Sequence, residues 1–146
     1  MSNGIYSNQT NLKITKNQFT EIRENGYPDW TAGFGVMARD YFGSTNFQVT
    51  RCGFRDGDEP SISLTSKAVR IEGMRVDYIA HNIIRADQGI ELLNNTGKVR
   101  VSYNTILAWE KNGIELHQID PAAAVFIDQN IIDVKGANGI GIRSNM

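Results

Sequence analysis

Glu91 and Glu115 hold the same place in two copies of a short pattern, Gly89-Ile90-Glu91-Leu92 and Gly113-Ile114-Glu115-Leu116, and His117 follows two residues after the second glutamate. If these segments are strands, the aliphatic residues face one way and the glutamates the other. On neighbouring strands the two glutamates would stand about 5 Å apart. Carboxylates that close repel one another, which raises the proton affinity of one and suits a general acid. His117, on the same side, could act as a base or proton shuttle. Arg39 and Arg143 hold outward places in other copies and could grip an anionic group such as a sugar carboxylate. Trp30 and Trp109 precede such strands and Tyr41 follows one; their flat faces could stack on sugar rings or simply cover an edge of the fold. The candidate catalytic residues are therefore Glu91, Glu115 and His117, and the candidate substrate-binding residues are Arg39, Trp30, Trp109 and Arg143. A plainer reading stays open: an exposed sheet needs polar residues outside, and Arg85, Lys111 or His117 would offset the glutamates' repulsion.

Other chemistries find little support. One cysteine excludes an internal disulfide, and one cysteine with two histidines argues against a zinc site. Asp56-Gly57-Asp58-Glu59 lacks the length and spacing of an EF-hand and reads as a solvated turn. A net charge of −1 gives no reason to expect a nucleic-acid partner, since such proteins usually carry a basic face. No run approaches the roughly 18 apolar residues of a membrane helix. Residues 1–10 have neither the basic nor the apolar region of a signal peptide. At 146 residues, 40% hydrophobic and 21% charged, the chain reads as one globular domain spanning 1–146.

The elements that must position these residues form a repeat. Leu12-x-Ile14-x-x-Asn17-x-Phe19 recurs as Phe47-x-Val49-x-x-Cys52-x-Phe54, Val99-x-Val101-x-x-Asn104-x-Ile106 and Val125-x-Ile127-x-x-Asn130-x-Ile132. A copy around Ile79, Asn82 and Ile84 is imperfect, with Asp77 where an apolar residue is expected. Between these segments lie Gly4-Ile5, Gly35-Val36, Ser61-Ile62 (a variant copy), Gly89-Ile90, Gly113-Ile114 and Gly139-Ile140, spaced by 31, 26, 28, 24 and 26 residues. Such a period marks a solenoid. Leucine-rich repeats share the Asn-bearing core, but here the connecting half is another strand, and no stretch keeps a 3.6-residue apolar period. Asn17, Asn82, Asn104 and Asn130 are expected to stack as an inward ladder at a corner, in a left-handed backbone position, with Cys52 as a small buried substitute. Long insertions are expected at 21–34, 39–46, 55–60 and 65–75.

This pattern resembles the right-handed parallel β-helix of the pectate-lyase-like superfamily over nearly the whole chain. The resemblance implies an all-β solenoid of about five coils with an Asn ladder. Because Gly4-Ile5 and 139–146 read as unfinished coils, the expectation is an excerpt of a longer helix, or ends covered by another subunit. It also implies an extracellular, cell-surface or virion protein that engages acidic polysaccharide as part of a lyase, hydrolase or epimerase, with calcium as the candidate cofactor. Membrane and nucleic acid are not implied partners; a homo-oligomer is, a trimer in the case of a tailspike. The Asp-Pro-His-Glu run of mannuronan epimerases and the Asp-Asp cluster of polygalacturonases are absent. A noncatalytic structural or adhesive solenoid is the alternative.

Overall fold

The computed structural model describes residues 5–7, 12–20, 33–39, 47–55, 66–73 and 76–145. Within them the chain winds through strands in strict rotation among three parallel sheets. The first sheet comprises β1 (Ile5–Ser7), β4 (Gly33–Arg39), β7 (Ser66–Glu72), β10 (Gln88–Leu93), β13 (Ile114–His117) and β16 (Ile142–Asn145). The second comprises β2 (Lys13–Thr15), β5 (Phe47–Thr50), β8 (Val76–Ala80), β11 (Lys98–Ser102) and β14 (Ala124–Asp128). The third comprises β3 (Gln18–Thr20), β6 (Gly53–Arg55), β9 (Ile83–Ala86), β12 (Thr105–Ala108) and β15 (Ile131–Val134). Every third strand returns to the same sheet one coil later, which makes the architecture a parallel β-helix of five coils and one further strand.

The core follows from period-two alternation. Val36, Val69, Ile90 and Ile114 stack inside the first sheet, Val49, Ile79 and Val101 inside the second, and Phe54, Ile84 and Ile106 inside the third, all essentially fully buried. Each such side chain contributes roughly 1.5–3 kcal/mol of transfer free energy. Phe19 and Phe54 continue the stacking, with ring centroids 4.8 Å apart and planes 7° from parallel. Gly89 and Gly113 lie where coils pinch together: a Cβ on Gly89 would meet the Gly113 carbonyl oxygen, and one on Gly113 would meet the Ile132 side chain.

The asparagine ladder forms at the corner between the second and third sheets. The Asn82 amide donates to Asn104 Oδ1 at 2.9 Å, and the Asn104 amide to Asn130 Oδ1 at 3.0 Å. Each oxygen also accepts the backbone N–H one coil earlier, as Asn82 Oδ1 does from Cys52 at 2.9 Å. Cys52 is buried in the ladder's vacant place, where burial pushes its thiol pKa up. The left-handed position, however, belongs to the residue before each ladder position: Lys16, Arg51, His81, Tyr103 and Gln129, with φ between 53° and 58°. That turn aims the following side chain inward, so the asparagine itself needs no unusual backbone.

Asn17, expected in the ladder, stays outside it: its side chain is exposed and donates to the Thr15 carbonyl at 3.0 Å, because Cys52 on the next coil offers no amide oxygen to continue the row. The structure corrects the repeat in three further places. Val69, rather than Ile62, pairs with Val36 and Ile90, so Ala68-Val69 holds the Gly-Ile place in the third first-sheet strand, and residues 65–75 contain β7 instead of an insertion. Ser61-Ile62 itself lies outside the described residues. Val76 stands opposite Phe47 and a register shift follows before Tyr78, so Asp77 is an extra residue in a bulge rather than a ladder-pattern position. Ile142, rather than Ile140, pairs with Ile114.

Candidate functional site on the first sheet

The outer face of the first sheet carries two lateral rows. One runs Met37, Arg70, Glu91, Glu115 and Arg143; the other runs Arg39, Glu72, Leu93, His117 and Asn145. Glu91 and Glu115 are direct neighbours, as their shared pattern implies. One oxygen from each and a nitrogen of His117 all lie within 4.8 Å of one another. The glutamates are nevertheless buried, at 6% and 7% exposure, because long side chains fold over them.

Charge pairing decides what each carboxylate can do. Lys67 Nζ donates to both oxygens of Glu91, at 2.8 and 2.9 Å, and Arg70 adds a contact at 3.0 Å. Glu115 is held differently: Gln88 Nε2 donates to one oxygen at 2.6 Å, and His117 Nε2 lies 2.9 Å from the other. The Arg143 guanidinium stands 3.8 Å from that second oxygen and is half exposed. On the second row, Glu72 is bound by Arg39 at 2.7 Å and lies 3.6 Å from Arg70. The carboxylates' mutual repulsion is thus offset by Lys67 and Arg70, both on Glu91; Arg85 lies on the third sheet. Burial lowers the Lys67 pKa, opposed by the attraction of Glu91.

Beside the glutamates opens a cleft of about 440 Å³, walled by Lys67, Gln88, Glu91 and Glu115 and rimmed by Glu110, Lys111, Asn112 and Arg143. Arg143 reaches it from the place opposite Glu115, two residues along from the register in which it would neighbour His117. Arg39 is engaged with Glu72, away from the cleft. Trp109 is half-buried at the turn before the cleft's rim and does not line it. Trp30 and Tyr41 lie outside the described residues.

Lys67, Arg70, Glu72 and Gln88 are the site residues that the sequence pattern passed over. The signal for two of them was present: Val69-Arg70-Ile71-Glu72 alternates as the Gly-Ile strands do, with Ala68 in the glycine's place. Calcium does not fit this group. It takes six to eight oxygen ligands, whereas here a lysine ammonium and a guanidinium already sit on Glu91 and an imidazole sits on Glu115.

Compared with known proteins, the chain matches no family model, and no curated sequence or solved structure gives a significant match.

Proposed function

We propose that this β-helix engages an acidic polysaccharide in the first-sheet cleft, as part of an extracellular or virion-borne lyase, hydrolase or epimerase of the pectate-lyase-like kind. The observation that carries this reading is the meeting of Glu91, Glu115 and His117 within 4.8 Å, with the two glutamates on the wall of a cleft and His117 behind Glu115, outside its lining. Their neighbours give the two carboxylates different parts. Glu91 is clamped by Lys67 and Arg70, which hold its carboxylate in place. Glu115 shares its proton-accepting oxygens with a glutamine and an imidazole, and the Glu115–His117 pair can pass a proton to or from a bound sugar. Lys111 and Arg143 on the rim are placed to meet a sugar carboxylate. Glu115→Gln keeps the shape of the side chain and should abolish degradation of a responsive polyuronate while leaving the circular dichroism spectrum unchanged. Full turnover by that variant would remove the assignment.

One observation favours a second reading, a noncatalytic structural or adhesive solenoid. Glu72, Glu91 and Glu115 all have partners within the sheet, so their charges also serve to tie adjacent coils together. A screen of acidic polysaccharides with no turnover by the wild-type chain, with or without added calcium, would favour it.

A further inference from the structure

The asparagine ladder has a direction. At each interior step the backbone N–H and the amide of one asparagine donate to the side-chain oxygen of the asparagine one coil later. That second asparagine's amide donates back to the carbonyl three residues before the first. Between Asn104 and Asn130 these bonds measure 3.0, 3.0 and 2.8 Å, the last to the Val101 carbonyl. The repeat therefore turns donors toward one face of the helix and an acceptor toward the other. One face is made by β14, β15 and β16, each the last strand of its sheet. There the Asn130 N–H holds the place of Asn104's and meets no acceptor among the described residues, and the Ile127 carbonyl holds the place of Val101's. The opposite face is made by β1, β2 and β3. There the Asn17 amide donates to the carbonyl two residues earlier at 3.0 Å, a bond that Asn130 also makes at 3.0 Å inside the ladder. Asn17 is thus already turned as a ladder residue, exposed, with its side-chain oxygen unmatched among the described residues.

The apolar columns supply an independent indication. Core residues left only partly buried include Ile5, Leu12 and Phe19 on the first of these coils and Val125, Ile127 and Ile132 on the last. The two sets belong to the same columns. Ile5 heads the column that ends at Ile142, and Phe19 heads the one that ends at Ile132. Leu12 and Ile14 hold the repeat places of Val125 and Ile127. On the β14–β16 face a groove of about 480 Å³ opens among Leu116, Ile119, Val125, Ile127 and Ile142. It lies where the Ile5, Leu12 and Ile14 places of one more coil would fall.

We propose that a second copy of this chain docks end on, its β1–β2–β3 face against β14, β15 and β16 of the first, whatever the cleft does. All three parallel sheets and the ladder then run on across the joint. Asn17 of the arriving copy accepts from the Asn130 N–H and donates to the Ile127 carbonyl, as the interior asparagines do. Its Ile5, Leu12 and Phe19 cover Ile142, Val125 and Ile132, and the apolar groove closes. The match works in one sense only. Two β14–β16 faces would set the Asn130 donors against each other, and two β1–β3 faces would set the Asn17 oxygens against each other. A joint between unlike faces does not close on itself, so copies add one after another along the helix axis. Open strand edges around an apolar interior favour such growth.

Sedimentation velocity of the full chain, from low to high micromolar, tests this. Wild type should grow through dimers to longer linear species as concentration rises. Asn17→Ala alters a side chain exposed in the single copy, so it should keep the circular dichroism spectrum and weaken association about tenfold. Asn17→Lys and Ile142→Lys each put a cation into the joint, at positions exposed in the single copy. Each should stay monomeric alone. Mixed in equal amounts they should form a dimer and nothing longer, because only one pair of unlike faces is left open. The proposal is overturned if wild type is monomeric throughout, as it would be if these faces take only a different cap. It is also overturned if Asn17→Ala assembles as readily as wild type, if either lysine variant associates by itself, or if their mixture stays monomeric. Should Ile142→Lys lose its fold, the comparison of Asn17→Ala with wild type still decides.

Discussion

Replacing Asn104 by alanine tests whether the ladder holds the coils together. Asn104 is 1% exposed and stands between two other asparagines. Its Oδ1 accepts from the Asn82 backbone N–H at 3.1 Å and from the Asn82 amide at 2.9 Å; its amide donates to the Ile79 carbonyl and to Asn130 Oδ1, both at 3.0 Å. Truncation leaves the Asn82 N–H buried without that acceptor and strips one donor from Ile79. The Asn82 amide keeps the Val49 carbonyl and Asn130 Oδ1 keeps the Asn104 N–H, so those losses are partial. An unsatisfied buried group costs about 1–3 kcal/mol, which gives roughly 3–4 kcal/mol for one full and two or three partial losses. Asn17 supplies the internal control, because its side chain is exposed and donates only to Thr15 two residues away. Asn17→Ala should cost no more than about 0.5 kcal/mol, in the ordinary range of surface substitutions. Urea unfolding followed by fluorescence measures both, provided the m-value is unchanged. Equal midpoints for the two variants would refute the argument that the ladder's buried amides carry stability.

Two further predictions concern groups that burial perturbs. Glu91→Gln should destabilise by about 3–5 kcal/mol, because it leaves Lys67 and Arg70 without their shared partner, whereas Glu91→Leu combined with Lys67→Met should cost clearly less than the sum of the single changes. Additive costs in that double-mutant cycle would show the pair uncoupled. Cys52 should resist alkylation in the folded protein and react on unfolding. Its folded thiol pKa is raised above the ordinary value of 9.0, so the fold prefers the protonated form. Its contribution to stability is therefore full below pH 9.0 and lost as pH rises through the folded pKa. Comparing wild type with Cys52→Ala across that range isolates the effect, and parallel stability curves would contradict it.

The repeat and the inward ladder from Asn82 to Asn130 were legible because both rest on parity and spacing, which a solenoid imposes on every coil; Asn17, expected in the same ladder, is exposed. Where a coil departs from the average, spacing misleads. Ala68 replaces the expected glycine after a longer coil, so Ser61-Ile62 looked like the better-spaced start although Val69 and Ile71 complete the core. Gly139-Ile140-Gly141-Ile142 offers two identical dipeptides; hydrogen bonds from Ile140 to the Asn112 side chain and from Gly113 to the Ile140 carbonyl decide between them. The adjacency of Glu91 and Glu115 was readable, but their burial was not. It arises from Lys67 and Gln88, which belong to different coils and meet the glutamates only after folding.

The two-residue difference at Gly139 and Gly141 has a consequence for how this surface can change. Sliding a strand by two residues keeps every inward side chain inward, so the hydrophobic interior is spared, yet each outward residue acquires a new lateral neighbour. Arg143 would face His117 in one register and faces Glu115 in the other. A corner insertion or deletion of two residues can therefore re-pair a whole row of charges in a single step. Lateral combinations on this cylinder can be shuffled like the wheels of a combination lock, at a frequency set by short indels rather than by substitutions at the site itself.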